Sequence, residues 1–357
     1  MTLTTIVGWL DRVDPGVHRR IKGLRLVTAY GIAAMLGALH DIAKGVPDAA
    51  SLSSLAGGFA LWASVSEARA TRAESSRDLA LLSAAAALGA ASFIGLAPLL
   101  AAMGSAGPEL ILATGAFLVG YLRRFGVLGA GIGSQIYIGQ LLAFGVPLSA
   151  ADLPTVIIAG AISGVAAIVP RLLSGPAEHP PPLAAPFGRG SLSPELSMGI
   201  QAAVAAAVIV ALDRLVGLTE AAWAITACTY VIANSATGTF DRVRRRIIGT
   251  AIGVPLALAF LPLAAHAPIV IWAAAALAMI VYAMALPERY DIACGAFAFT
   301  LIVTLAVGGE HSIPLLAARA WETLVGGILG LVAATLLFPL RPMRAGDAQS
   351  NRRETAT

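Results

Sequence analysis

The chain consists mainly of long apolar stretches separated by short polar segments. Most stretches approach the twenty residues that an α-helix needs to cross a hydrocarbon core about 30 Å thick. They do not alternate in polarity as the strands of a membrane barrel do. The pattern therefore predicts an all-α integral membrane protein of about twelve transmembrane helices, at residues 24–41, 49–66, 79–97, 108–122, 125–145, 153–173, 196–213, 220–237, 247–265, 268–286, 292–309 and 315–339.

The stretches at 79–97 and 108–122 are the least regular of the twelve. Pro98 interrupts the first and the second is short, so ten or eleven full spans remain an alternative count.

Composition agrees with a membrane protein, since 58% of the residues are hydrophobic and only 12% are charged. The net charge of +4 comes from basic clusters between apolar stretches, where they orient the helices, so we expect no nucleic-acid partner. The two cysteines, Cys228 and Cys294, lie inside apolar stretches. They exclude a disulfide framework and a Cys-rich metal site, and we expect no metal and no cofactor.

The distribution of basic residues predicts the orientation. When loops alternate between the two sides, 21 of the 24 Lys and Arg residues fall on one side, and basic residues concentrate in cytoplasmic loops. An even number of spans follows, with both termini in the cytoplasm.

A Pro-rich segment at 174–194 lies near the middle of the chain. We expect it to be a cytoplasmic linker between a first six-helix repeat at 1–173, which includes an N-terminal interfacial segment, and a second at 195–340. Residues 341–357 then form a disordered cytoplasmic tail. Because each half has an even number of spans, the repeats are predicted to be parallel, and transport sites in such proteins tend to lie between the repeats.

The last predicted helix carries charges in an apolar environment. Arg319 and Glu322 are three residues apart and share a helical face with Thr323. Charges at membrane depth are costly and tend to be paired or functional. Arg319 is therefore predicted either to bind an anion, with Glu322 orienting it or carrying a proton, or to form an intrahelical ion pair with Glu322 that serves packing.

Two further groups of polar residues are candidates for a hydrated substrate path, although bonding between helices would explain them equally well. The first group is a stripe of side chains in the eighth predicted helix, formed by Thr226, Thr229, Tyr230 and Asn234. The second group lies in the glycine-rich fifth predicted helix and consists of Tyr137 and Gln140.

Glycines four residues apart predict close helix packing in three helices. The pairs are Gly160 with Gly164, Gly249 with Gly253, and Gly326 with Gly330.

The sequence contains no phosphate-binding loop and no hydrolase or metalloprotease motif, so we expect neither ATP hydrolysis nor an enzyme.

A basic cluster formed by Arg242, Arg244, Arg245 and Arg246 is predicted to lie at the cytoplasmic end of a path, where it would attract anions. The tendency of basic residues to orient membrane helices with their basic loops in the cytoplasm is enough to explain the cluster as well.

Two segments of the second half resemble the fusaric acid resistance and aromatic acid exporter family of bacterial inner-membrane transporters. Residues 239–253 contain the arginine cluster followed by Arg-x-x-Gly-Thr, and residues 318–327 begin a final helix that runs to Pro339. The first half lacks the Arg-x-x-Gly-Thr pattern, so the halves need not contribute equally.

This resemblance implies efflux of aromatic carboxylic acids or similar toxic small organic anions across the bacterial inner membrane. An anion-selective channel remains open, since plant relatives of this fold are channels, and so does a non-transporting membrane protein that serves as an enzyme or partner subunit. The expected partners are the lipid bilayer and the anion. Protons, a second copy of the chain and a periplasmic adaptor subunit are further candidates.

Overall fold

A computed structural model describes residue 14 and residues 16–44, 51–69, 71–104, 106–146, 148–174, 193–309 and 312–340. Within these ranges the regular structure is helical. Twelve α-helices follow one another along the described chain: α1 (His18–Ala43), α2 (Ser51–Ser66), α3 (Arg72–Leu100), α4 (Ala106–Tyr121), α5 (Gly126–Phe144), α6 (Leu153–Leu173), α7 (Pro194–Val216), α8 (Ala221–Val231), α9 (Ala236–His266), α10 (Pro268–Ala285), α11 (Tyr290–Val307) and α12 (Ile313–Leu336).

The prediction of an all-α, multi-pass membrane protein is confirmed. Among the described residues, nine helical segments are long and apolar enough to cross a membrane by length and composition, and one of these, Ala106–Gly145, contains both α4 and α5. Leu52–Ser66 and Ala221–Val231 are shorter apolar helices. The count of twelve spans and the cytoplasmic location of the termini stay predictions.

Four of the described helices, α3, α7, α9 and α12, begin at a residue whose side chain caps the first turn. The hydroxyl of Thr71 accepts from the backbone N–H of Glu74, so α3 begins before the predicted span at 79–97. Ser193 caps α7 in the same way, and Pro194 occupies its first turn. The linker residues 175–192, the interfacial segment 1–13 and the tail 341–357 lie outside the described residues.

The predicted continuous span at 220–237 is wrong. Helix α8 ends at Val231, residues 232–235 are not helical, and α9 begins at Ala236. The side chain of Ser235 caps α9 by accepting from the N–H of Gly238, and this cap defines a new helix start.

The two halves show the same pattern of helix packing. Helix α3 packs against α5 and α6, and α9 packs against α11 and α12. Helix α6 also contacts α1 and α2, as α12 contacts α7 and α8. Across the halves, α4 packs against α7 and α10 packs against α1. Most helix contacts thus recur between helices six positions along the chain; the contacts of α2 with α5 and of α4 with α8 lack a counterpart of similar extent among the described residues.

Glycines bring helix backbones into direct contact at the main crossings. A methyl group at Gly249 or Gly253 of α9 would lie under 3.0 Å from backbone atoms of α11, and one at Gly326 of α12 would meet the carbonyl oxygen of Ala224. Such small residues allow close packing, which replaces the hydrophobic effect as the source of association in lipid. At Gly164, by contrast, the nearest atom would be 3.9 Å away, so the close approach expected there is not seen.

Candidate functional site

A cavity of about 1130 Å³ lies between the two halves of the protein. The first half contributes side chains from α2, α4 and α5, and the second contributes them from α7 to α12. Residues at both ends of α8 line it, from Glu220 to Ser235, so the cavity extends alongside the whole of that helix. The sequence analysis predicted a site between the two halves.

The break between α8 and α9 forms part of the cavity wall. Ile232, Ala233, Asn234 and Ser235 all line the cavity. The N–H of Ala233 donates to the hydroxyl of Thr239 at 3.0 Å. Non-helical backbone at membrane depth is tolerated where it is buried in protein or borders a water-filled space. The break therefore fits a hydrated cavity.

Three arginines in the cavity wall have no carboxylate partner among the described residues. Arg123 donates to the sulfur of Met198 at 3.6 Å. Arg242 donates to the carbonyl oxygen of Ile232 at 3.2 Å.

The third, Arg246, donates to the hydroxyl of Tyr290 at 3.3 Å, and its Nε is buried without a hydrogen-bond partner in the described part of the chain. The three arginines give this cavity an excess of positive charge.

The position of Arg246 follows from the Arg-x-x-Gly-Thr pattern. Gly249 and Gly253 lie on the face of α9 that contacts α11, and their lack of side chains lets the two backbones touch. The first turns of α11 therefore lie beside Arg246, which brings Tyr290 and Cys294 into the same cavity wall.

The other members of the basic cluster have different surroundings. Arg245 lines the cavity but pairs with Asp241, with 2.9 Å between the charged atoms. Arg244 is exposed and lies outside the cavity lining. The predicted cluster is thus divided, and only Arg242 and Arg246 present uncompensated charge to the cavity.

Glu288 lies at the rim of the cavity beside Arg245 and binds the start of α1. Arg19 donates to both of its carboxylate oxygens, at 2.5 and 2.6 Å. The hydrogen bond from Arg19, together with the charge of Arg19, lowers the pKa of the Glu288 carboxyl below its ordinary value. This ion pair connects the first half of the chain to the loop before α11.

We expect Glu288→Gln to destabilise the protein slightly at neutral pH, by less than about 1 kcal/mol, since Glu288 is 62% exposed and water screens the pair. A lowered pKa means that the stabilisation is present at neutral pH and disappears as the pH falls through that value. Thermal unfolding of both proteins in detergent at about pH 7 and about pH 3 checks this. A difference that persists unchanged at the lower pH would show that the charge of Glu288 is not responsible.

Arg319 lies in the cavity wall, and the alternative of an intrahelical ion pair with Glu322 is not seen in the described structure. Its guanidinium lies over the ring of Trp223, 4.3 Å from the ring centroid, and its Nη2 is 3.8 Å from a carboxylate oxygen of Glu220. The indole N–H of Trp223 donates to the same oxygen at 2.9 Å. The sequence did not predict this arrangement because Glu220 is about one hundred positions away along the chain.

The hydroxyl-bearing residues of α8 connect the two halves and also line the cavity. The hydroxyl of Tyr230 is 2.7 Å from that of Ser134, and the hydroxyl of Thr226 is 2.8 Å from that of Tyr137. Thr226, Thr229 and Tyr230 all line the cavity. Both alternatives for this stripe, bonding between helices and a path, are therefore compatible with the geometry.

Several predicted path residues lie behind the cavity wall. Tyr137 is fully buried, and Gln140 donates at 3.3 Å to the hydroxyl of Thr114 inside the first half. Glu322 is fully buried as well, and Thr323 lines a separate pocket of about 30 Å³ next to Arg319. These four residues support the site or its neighbourhood and do not line the main cavity.

An aromatic cluster in the cavity wall was missed by sequence reasoning. Phe297 is the centre of the cluster, with its ring centroid 5.5 Å from Trp62, 6.3 Å from Tyr282 and 6.5 Å from Trp223. All four side chains line the cavity. They come from α2, α8, α10 and α11, so no local spacing in the sequence could have grouped them.

No group of three or more potential metal ligands occurs within the described residues. Residues 203–333 match the family model described as fusaric acid resistance protein-like. This confirms the resemblance, and the matched residues include Arg242, Arg246 and Arg319. No match was found among curated proteins or among solved structures.

Proposed function

We propose that the protein exports aromatic carboxylic acids or similar small organic anions across a bacterial inner membrane, driven by an electrochemical gradient. The observation that carries this proposal is the presence of Arg123, Arg242 and Arg246 in one cavity, without carboxylate partners in the part of the chain that the structure describes. Uncompensated charge in a membrane protein is costly and marks an ion or substrate pathway. An anionic ligand would supply the missing negative charge.

The aromatic cluster supports the choice of an aromatic acid. Rings of Trp62, Tyr282 and Phe297 border the same cavity as Arg246. Binding sites are usually lined by apolar and aromatic side chains, with a few polar groups that orient the ligand. A flat ring with one carboxylate matches this combination, because its ring can contact the cluster while its carboxylate faces the arginine.

The repeated packing pattern supports the predicted two-repeat architecture. Most contacts within one half recur between the equivalent helices of the other half, and the contact of α4 with α7 corresponds to that of α10 with α1. Gly89 of α3 and Gly139 of α5 also meet backbone atoms across their crossing, as Gly249 and Gly253 do in the second half. We therefore propose parallel repeats at 1–173 and 195–340, with both termini cytoplasmic and the cavity between the repeats.

We expect cells that express the intact protein to export radiolabelled benzoate and to lose this export when an uncoupler is added. Arg319→Ala should reduce the rate at least about tenfold, because it removes a largely buried positive charge from the cavity wall. Arg214→Ala is the matched control, since Arg214 is exposed and lies outside the cavity lining. Equal insertion of each variant into the membrane is verified first.

Absence of benzoate export by the intact protein would contradict the proposed substrate class, and unchanged export by Arg319→Ala would remove Arg319 from the site. Saturation with rising benzoate concentration supports a carrier. A current that grows linearly with voltage would instead support the anion-selective channel.

A further inference from the structure

Glu322 is a carboxylic acid in an environment that penalises its charge. The residue is 0% exposed, and its Oε1 accepts the backbone N–H of Glu220 at 2.7 Å. Its Oε2 is buried and has no hydrogen-bond partner within the described residues, and the side chain forms no ion pair there. Burial of an unpaired carboxylate is expensive, so the neutral, protonated acid is favoured.

Few charged groups approach this part of α12. Helix α7 contributes the neutral amide of Gln201, which donates to the carbonyl oxygen of Leu337. Charged and titratable residues on the three helices packed against α12 are Glu195, Asp213 and Arg214 on α7, Cys228 and Tyr230 on α8, and Asp241, Arg242, Arg244, Arg245, Arg246 and His266 on α9. Arg319 lies on α12 itself, and Glu220 directly precedes α8. Of these groups, Glu220 and Arg319 act on the Glu322 carboxyl, whereas Asp213 accepts from the N–H of Leu218 and Arg214 donates to the carbonyl oxygen of Met103.

Glu220 connects Glu322 to the cavity. Its backbone binds Glu322, whereas its side chain lines the cavity and is 3.8 Å from Arg319. Arg319 and Glu322 are also three residues apart on one helical face. The charge state of Glu322 therefore acts on Arg319 directly through space and indirectly through Glu220.

We propose that Glu322 is a proton-binding residue whose protonation state controls anion binding at Arg319. This inference rests on the proposed function. When Glu322 loses its proton, the O–H bond breaks and the proton leaves towards the cavity, past Glu220. The remaining carboxylate places a negative charge beside Arg319, which weakens the attraction of Arg319 for an anion.

The direction of the coupling follows from the charges. Protonation of Glu322 removes a negative charge, so anion affinity is highest at low pH and falls as the pH rises. By thermodynamic linkage, anion binding must also increase proton binding. The membrane potential, negative inside, drives an anion outward, so the proton sets affinity without having to be exchanged for the anion.

The first test measures benzoate binding by the purified intact protein across a pH series. We expect the affinity of the unmodified protein to fall about fivefold or more from low to high pH, at the lower end of common coupling strengths. Glu322→Gln, which mimics the protonated acid, should keep the low-pH affinity throughout. Glu109→Gln is the matched control, because Glu109 is also a buried acid with an unpartnered oxygen but lies in α4, away from the cavity.

An affinity of the unmodified protein that does not fall with pH would overturn the inference, as would an unchanged pH dependence in Glu322→Gln. The first of these outcomes needs no variant, so it holds even if Glu322→Gln fails to fold.

A second measurement does not depend on the identity of the substrate. Cys294 is mostly buried but 7% exposed in the cavity lining, whereas Cys228 is 0% exposed, so small charged methanethiosulfonates that enter the cavity can report the potential at Cys294. We expect the ratio of anionic to cationic reagent rates to fall as the pH rises, and to stay constant in Glu322→Gln. Both reagents react with the thiolate form of Cys294, so the ratio of their rates does not depend on the fraction of the thiol that is ionised.

These two experiments separate the possible failures. No benzoate binding together with the expected reagent ratios would overturn the proposed substrate and support the proton site. Benzoate binding together with a ratio independent of pH would overturn the proton site and leave the proposed function in place.

Discussion

Arg246→Gln should reduce organic anion export about thirtyfold or more. Arg246 is the cavity arginine whose Nε is buried without a hydrogen-bond partner in the described structure, and it lies beside Tyr290 and the aromatic cluster. Removing a buried charge that binds an opposite charge costs about 2 kcal/mol or more, which corresponds to roughly this factor. Export of radiolabelled benzoate at subsaturating concentration gives the measurement.

The basic cluster supplies a matched control for this variant. Arg244→Gln removes the same charge two residues away, from an exposed side chain outside the cavity lining. We expect its export rate to stay within about twofold of the unmodified protein, since the effect of an exposed charge is screened over about 8 Å. Equal losses of export in both variants would mean that the cluster only orients the helices in the membrane and that Arg246 does not bind the anion.

Gly253→Ala should strongly destabilise the second half of the protein. The added methyl group would lie under 3.0 Å from the backbone of Gly295 in α11, and a backbone cannot move aside as a side chain can. Overpacking of this kind typically costs about 1–3 kcal/mol. The displaced α11 would also move Tyr290 and Cys294 away from Arg246, so export should fall with stability.

Thermal unfolding in detergent checks this prediction, with Gly164→Ala as the control. Alanine is better than glycine in a helix by about 0.5–1 kcal/mol, and the nearest atom to the added methyl at Gly164 is 3.9 Å away. We therefore expect the control to be neutral or slightly stabilising. Similar unfolding temperatures for both variants would contradict the close backbone contact between α9 and α11.

The helices could be predicted from the sequence because their signal is local. Apolar stretches near twenty residues long each gave a helix, from α1 at His18–Ala43 to α12 at Ile313–Leu336. The break at 232–235 could not be predicted in the same way. Its backbone N–H and C=O groups form hydrogen bonds with side chains such as those of Thr239 and Arg242. A hydropathy pattern contains no information about such hydrogen bonds.

The candidate site could be predicted only in part, because contacts between distant segments decide it. Arg319, Thr226, Tyr230 and Arg246 were named from the sequence and line the cavity. Of the two alternatives for Arg319, the ion pair with Glu322 is not seen in the described structure, since helical spacing shows which residues share a face but not which partner comes from another helix. Glu220 is that partner.

The asymmetry between the halves could be predicted from the missing Arg-x-x-Gly-Thr pattern. In the structure, the first half supplies Arg123 and mainly apolar or hydroxyl side chains to the cavity, whereas the second half supplies Arg242, Arg245, Arg246 and Arg319. Arg123 was counted only for topology. Arg123 lies directly after α4, which packs against α7. Only this packing between distant parts of the chain places Arg123 in the cavity wall.

The most direct test of the central claim is benzoate flux through the purified protein in liposomes with an imposed membrane potential. We predict saturable flux that follows the sign of the potential and is lost in Arg246→Gln but kept in Arg244→Gln. Flux equal to that of protein-free liposomes at every potential would contradict the claim that this cavity carries organic anions across the membrane.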